Sequence, residues 1–371
     1  MKKILFLMSA WLFASQTYAA NICAGYEQYC TYDGANRDLT IRNLNGNVET
    51  LSAILCRVVD PNTVTTLHLS NNQLQAMPRE IGKLVALTTL DLFNNQLQAL
   101  PVEIGNLRAL TTLYLGNNRL QALPGEIGNL RALTTLYLGN NRLQVLPGEI
   151  GNLRALTTLH LSNSRLQVLP VEIGNLRALT GLDLYHNQLQ VLPVEIGNLR
   201  LLSLLDLSHN QLESLPVDIG NLRFLNWLNL SHNQLQVLPV ETGNLCALTT
   251  LYLSHNQLQV LPVEIGNLRL LKLLDLSHNQ LDLAHNQLTG AIPNWIGNLV
   301  ALKWLNLSHN RLRGILSDEF IQLVNLVELD LSHNQLRVFE ESTFQMKETM
   351  KQRGILTKFN IDNNNFNIEE Q

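Results

Sequence analysis

LTTLYLGNNRLQALPGEIGNLRA, residues 110–132, is one turn of a pattern that resumes almost unchanged at Leu133. Nine such 23-residue units follow one another from Val64 to Leu270. Self-similarity at a period of roughly 20–29 residues, over the frame L-x-x-L-x-L-x-x-N-x-L, predicts a stack of one small unit, because each copy buries its apolar face only against its neighbours. Within a unit, the leucines at positions one, four and six (Leu110, Leu113 and Leu115) point inward. Strand alternation then puts positions three, five and seven on the solvent face. Neighbouring strands are expected to form a parallel sheet lining a concave side. The leucine at position eleven, the Leu or Met before each proline, the isoleucine and the last leucine fill the wedge.

Asparagine recurs at position nine from Asn72 to Asn334, Asn286 included. Its amide can donate to and accept from backbone groups left unpaired where the strand turns, so the column reads as structural. Ser164 breaks it, and a hydroxyl offers less, which predicts a local weakness. Each Leu-Pro dipeptide, as at Leu100-Pro101, fixes an extended segment. The V-E-I-G-N-L that follows is too short for a long helix and predicts a turn or 3₁₀ helix. Glu103 and Arg108 repeat as outward columns of alternating sign, read as a solvated face.

These motifs resemble the leucine-rich repeat family. The L-P-x-x-I-G-N-L continuation is most similar to the Ras-suppressor/Shoc2 type, also found in exported bacterial proteins. The resemblance implies an α/β-type solenoid, a right-handed curved rod with a parallel concave β-sheet and a convex side of short 3₁₀ segments or turns. It covers residues 64 to about 366 and is specific for fold, whereas the fold serves many functions.

Outside the regular array, Lys2 and Lys3, the apolar run Ile4–Ala14 and the small residues near Ala19 predict a signal peptide over residues 1–19. Residues 21–63 are expected to cap the array, with Leu39 and Ile41 alternating like a short edge strand and Val48–Val59 spaced like a helix. Residues 64–341 form the repeats and 342–371 a C-terminal cap with a degenerate last repeat. The period fails near residues 275–288, where Leu274–Leu281 is followed at once by the near-copy Asp282–Leu288. Asn279 and Asn286 cannot both sit on adjacent rungs, so one heptad must bulge out or form a truncated rung. Leu288–Pro293 begins a unit like the 24-residue plant extracellular repeat. Export permits a disulfide among Cys23, Cys30 and Cys56. Cys30–Cys56 would tie the cap to its helix, Cys23–Cys30 competes, and sequence leaves both open. Cys246 stands roughly 35–40 Å away along the stack, beyond any disulfide.

A formal net charge of −4 with 15% charged residues opposes a dominant nucleic-acid binder. No zinc pattern, phosphate-cradling loop or nucleophile elbow occurs, so no enzyme activity, cofactor or metal is expected. The wall open to solvent carries the candidates. Aromatic rings stand at position five (Tyr114, Tyr137, Tyr252), position three (Trp227, Trp304) and position seven (Phe93, Tyr185), and such rings are enriched at binding hot spots. Asp183, Asp206, Asp275 and Asp330 at position five add an acidic stripe that favours a basic or amphipathic ligand. Position eight changes from asparagine to a column of histidine: His186, His209, His232, His255, His278, His285, His309 and His333. The column reads as a copied polar residue or, more sharply, as a pH-responsive or weakly metal-binding edge. The expected function is a non-enzymatic scaffold holding a protein on the concave face. The alternatives are a carbohydrate or cell-envelope binder and an inhibitor of a secreted enzyme. The chain is expected to be a monomer, secreted or periplasmic, with a glycan as second partner class and without nucleic acid or a membrane span.

Overall fold

The computed structural model describes residues 22–60, 62–281, 294–314, 318–336 and 356–364. The expected signal peptide, the second heptad at residues 282–288, the plant-like start at 288–293 and the polar stretch 342–353 lie outside the described residues. The chain divides into two compact units, Met1–Leu166 and Gln167–Gln371.

In the first unit, β1 (Cys30–Asp33) and β2 (Asp38–Ile41) form an antiparallel hairpin with Cys30 opposite Ile41. Every later pairing in this unit is parallel. β3 (Thr66–His68), β4 (Thr89–Asp91), β5 (Thr112–Tyr114), β6 (Thr135–Tyr137) and β7 (Thr158–His160) follow in chain order. Their central leucines face one another in register. β2 is therefore covered by β1 and is not the edge that Leu39 and Ile41 suggest. Helix α1 (Val48–Cys56) starts where Asn47 accepts a 2.9 Å bond from the Thr50 amide, and it buries Leu51, Ile54 and Leu55. The disulfide is Cys23–Cys30, while Cys56 is exposed and free. Backbone turns from Tyr26 to Cys23 and from Cys30 to Tyr26 fold this segment back on itself and bring the two sulfurs together, so the link to α1 is not made.

The second unit repeats the plan with β8 (Gly181–Asp183), β9 (Leu204–Asp206), β10 (Trp227–Asn229), β11 (Thr250–Tyr252), β12 (Leu273–Asp275) and β13 (Trp304–Asn306). The two-residue strand β14 (Arg313–Gly314) follows, then β15 (Glu328–Asp330), the short β16 (Gln335–Leu336) and β17 (Lys358–Asn360). β14 and β16 pair with each other; the rest of the sheet is parallel in the order β8 to β13, β15, β17. Leu274 pairs directly with Leu305, so the strands before and after the duplicated sequence are adjacent rungs. Asn310 accordingly reaches back 34 residues to its carbonyl, where Asn279 reaches 26.

Opposite the sheet, each proline from Pro78 to Pro262 leads into a five-residue 3₁₀ helix, as in Val102–Asn106 and Val194–Asn198. Pro101 sits at φ −69° and holds the chain extended just before the helix begins. Glycine at position nineteen lets successive helices pack closely. A Cβ on Gly197 would lie 2.4 Å from the Asp218 carbonyl oxygen.

Leucines fill the space between sheet and helices, most of them fully buried. Each is worth about 2–3 kcal/mol of apolar transfer. The buried asparagines complete the rungs. Asn118 donates to the carbonyls of Leu92 (2.9 Å) and Leu115 (3.1 Å) and accepts from the Leu97 amide (3.0 Å). Asn210 does the same with Leu184, Leu207 and Leu189. Each amide thus ties its own rung to the one before. Among the described residues, two buried side-chain oxygens lack a hydrogen-bond partner, those of Ser164 and Thr242. Both stand where the repeat departs from itself, in the asparagine column and in the isoleucine column.

Two substitutions that restore the repeat should therefore stabilise the fold. Ser164→Asn is expected to add about 1–3 kcal/mol by regaining buried hydrogen bonds, and Thr242→Ile about 1–2 kcal/mol by replacing an unpaired hydroxyl with apolar volume. Asn141→Ala should cost about 2–4 kcal/mol. Urea unfolding of the full chain measures all three; a loss of stability in Ser164→Asn would refute the account of the column.

Candidate interaction surface

Each rung offers solvent two side chains from its strand, positions three and five, and then position eight where the chain leaves the sheet. Position seven, expected to face solvent, is open at Phe93 and partly so at Tyr185 but buried as Ser208, Ser231, Ser254, Ser277, Ser308 and Ser332, where the turning chain draws the small side chain in. Position five does two jobs. Where it is aspartate or asparagine, one side-chain oxygen accepts from the amide two residues on. Asp91 bonds Phe93 (2.9 Å), Asp183 bonds Tyr185 (3.0 Å), Asp275 bonds Ser277 (3.0 Å) and Asp330 bonds Ser332 (2.9 Å). This Asx turn closes the strand. The acidic stripe is thus partly a device for turning the chain, which a purely electrostatic reading of the sequence misses. Asp206 bonds both the amide and the hydroxyl of Ser208. Burial raises its pKa, Ser208 opposes the rise and Asp183 adds to it.

Position eight is set by backbone geometry. Asn117 and Asn140 have φ of 54° and 58°, and His186, His209, His232, His255, His278, His309 and His333 lie between 53° and 55°. This is the left-handed region, in which Asn, Asp and His are enriched among non-glycine residues. The restriction to Asn or His follows directly. The rings then stack. Neighbouring centroids from His209 through His232, His255, His278 and His309 to His333 are 4.0–4.2 Å apart with planes within 14° of parallel. His186 stands off at 6.0 Å from His209. Face-to-face rings direct their nitrogens side by side, away from any common point, and among the described residues no cluster of three or more ligands converges. Asn363 donates to His333 Nε2 at 3.1 Å and ends the described column. His285 lies outside the described residues.

The aromatic candidates separate into groups. In the first unit Tyr114 stacks on Tyr137 at 5.0 Å, and Tyr137 on His160 at 4.4 Å, so their faces cover one another. Phe93 is half-exposed and lies over Gly116, where a Cβ would come within 3.2 Å of its ring. In the second unit Tyr185 packs against His186 and edge-on to His209. Trp227 meets Tyr252 edge-on at 6.0 Å. Trp304 is the most open, 52% exposed. It lines a groove of about 250 Å³ together with Tyr252, Leu273, Asp275, Asn306, Glu328 and Asp330. Four sequence candidates, Tyr252, Trp304, Asp275 and Asp330, thus meet in one place. Leu204, Leu273 and Glu328 were not singled out from sequence, although their position-three slots were readable. A larger hollow of about 520 Å³ at the start of the first unit, lined by Thr40, Arg42, His68 and Asn71 among others, contains no Phe, Tyr or Trp.

Known proteins share the repeat and its fold. The description "Leucine-rich repeat region" matches residues 63–138 and 112–188, "Leucine rich repeat" matches 223–281 and 280–336, and a single-repeat description matches 201–222. Among curated proteins no sequence matches the chain. A leucine-rich repeat protein of Leptospira interrogans is 35% identical over 90% of this chain and 85% of its own, with a TM-score of 0.70. A plant peptide hormone receptor in complex with RGF2 is 34% identical over 82% of this chain, TM-score 0.69; the chain spans 48% of that receptor. An internalin of Listeria monocytogenes shares the fold, with 24% identity, coverage of 87% and 90%, and a TM-score of 0.70.

The histidine row makes stability depend on pH. Burial lowers the pKa of His232, His278 and His309, and neighbouring imidazoles lower it further; Asp275 opposes this at His232 and His278, and Asp330 at His309. The folded chain holds these protons less tightly than the unfolded one. Their stabilising share is therefore complete above about pH 6.5 and is lost as pH falls through the lowered folded values. The melting temperature should drop on mild acidification, and the triple change of His232, His278 and His309 to Asn, which tolerates the same backbone, should flatten that drop. Asp206, with its raised pKa, acts in the opposite sense and is common to both proteins, so their difference isolates the imidazoles. An unchanged pH slope in the triple variant would overturn the assignment.

Proposed function

The chain belongs to the leucine-rich repeat family, and on that premise we propose that it is a non-enzymatic scaffold that holds a protein ligand on the open face of its sheet. The observation that carries this reading is the second unit's exposed Trp304, seated in a groove with Tyr252 and Leu273 on an in-register parallel sheet. A half-exposed indole on a preorganised surface is the kind of anchor on which binding energy concentrates. The plant peptide hormone receptor in complex with RGF2 supports the same use of the fold.

Carbohydrate or cell-envelope binding is the second reading. It is weaker for the first unit, because Tyr114, Tyr137 and His160 cover one another's faces and leave mainly edges for a sugar ring. Export to the periplasm or the medium is part of the proposal. It rests on the composition of residues 1–19 and on the Cys23–Cys30 disulfide, which persists in oxidising compartments.

Affinity capture from envelope and secreted fractions, comparing wild type with Trp227→Ala/Trp304→Ala, tests the scaffold. Both rings lie outside the core, so the melting temperature should stay close to wild type while recovery of the wild-type partner falls at least about tenfold. Equal recovery by the double variant would remove the open face from the account. Binding on a glycan array with no protein recovered would favour the second reading.

A further inference from the structure

The groove beneath Trp304 has walls and a floor of different chemistry. Parallel registration sets Leu273, Trp304 and Glu328 side by side at position three, and Asp275, Asn306 and Asp330 side by side at position five. The first row gives an apolar and aromatic wall, and Tyr252 closes one end. At the ends of the second row stand two carboxylates, each held by one oxygen in an Asx turn. The other oxygen of Asp330 also accepts from the Asn360 amide at 3.5 Å, while no second hydrogen bond holds Asp275 among the described residues. Glu328 already has a cation, since Lys358 Nζ lies 3.2 Å from it. Among the described residues neither Asp275 nor Asp330 has an ion-pair partner.

The charged groups around the groove leave this negative floor standing. Lys272 and Lys303 stand exposed at position two, at the opposite end of the strands from the Asp row. His278 and His309, beyond the Asp row, are held toward the neutral form by burial and by neighbouring imidazoles, with Asp275 and Asp330 respectively opposing this. A single metal ion does not suit the floor. Asp275 and Asp330 are separated by the Asn306 rung, roughly 10 Å at ordinary strand spacing, which is too wide for one ion to bridge. A volume of about 250 Å³ admits one long side chain but not a helix.

We propose that this groove takes a basic side chain, arginine or lysine, from an extended segment of a protein partner. The aliphatic stem would lie on Leu273 and the Trp304 ring, and the cationic head would sit against Asp275, with Asp330 adding its negative charge from two rungs away. Arginine suits the site better, since its planar head both stacks on an indole and donates to carboxylates. This rests on the scaffold reading and names the chemistry that the scaffold recognises.

The test uses the full chain and two small probes, N-acetyl-arginine methylamide and its neutral isostere N-acetyl-citrulline methylamide. The indole NMR signal of Trp304, assigned by its loss in Trp304→Phe, reports binding. The arginine probe is expected to give a saturable shift that is at least about fivefold weaker in Asp275→Asn/Asp330→Asn and weakened by added salt, as a charge-dependent site requires. Citrulline should bind at least about fivefold more weakly to wild type. Equal binding of both probes, unchanged binding in the Asn variant, or no saturable shift would each overturn the proposal. If partner capture still depends on Trp227 and Trp304 while the arginine probe fails, the scaffold stands and the cation site falls. If the probe binds as expected and no protein is captured through the tryptophans, the site stands and the scaffold reading falls.

Discussion

A strand three residues long stops before its backbone is satisfied, and each rung must turn while still buried. The asparagine amide resolves this by donating to two carbonyls on successive rungs and accepting an amide from the earlier one, as Asn118 and Asn210 do. Without that group, burying the leucines would bury unpaired polar atoms at every turn. The apolar core supplies the driving force, but the amide makes it possible for the core to continue from rung to rung. Unpaired hydroxyls at Ser164 and Thr242 occur where single residues leave the pattern.

The same economy governs the face that solvent sees. At position five an acidic or amide side chain closes the strand by an Asx turn, and at position eight only residues at ease in the left-handed region recur. Stripes that look like functional surfaces are therefore built first by backbone need. What remains for recognition is narrower: rings not covered by other rings, and carboxylates whose second oxygen the turn does not use. The stacked tyrosines of the first unit largely fail the first condition. Trp304 meets it, and Asp275 beside it meets the second.

Sequence by itself determined the rung. The recurrence every 23 residues of the slots held by Leu110, Leu113, Leu115 and Asn118 dictates which residues face inward, because alternation along a strand and a fixed period leave one arrangement that buries them all. It also marked Ser164 as the weak rung, predicted the 3₁₀ helices after each proline and located the aromatic, acidic and histidine columns. Tertiary structure decided how side chains on neighbouring rungs meet. Whether Tyr114 presents a face or an edge depends on the Tyr137 ring a full turn away, and which cysteine Cys30 joins depends on a backbone fold between Tyr26 and Cys30. The groove under Trp304 likewise exists because Leu274 registers with Leu305 across an irregular stretch of sequence, a pairing that no local pattern specifies.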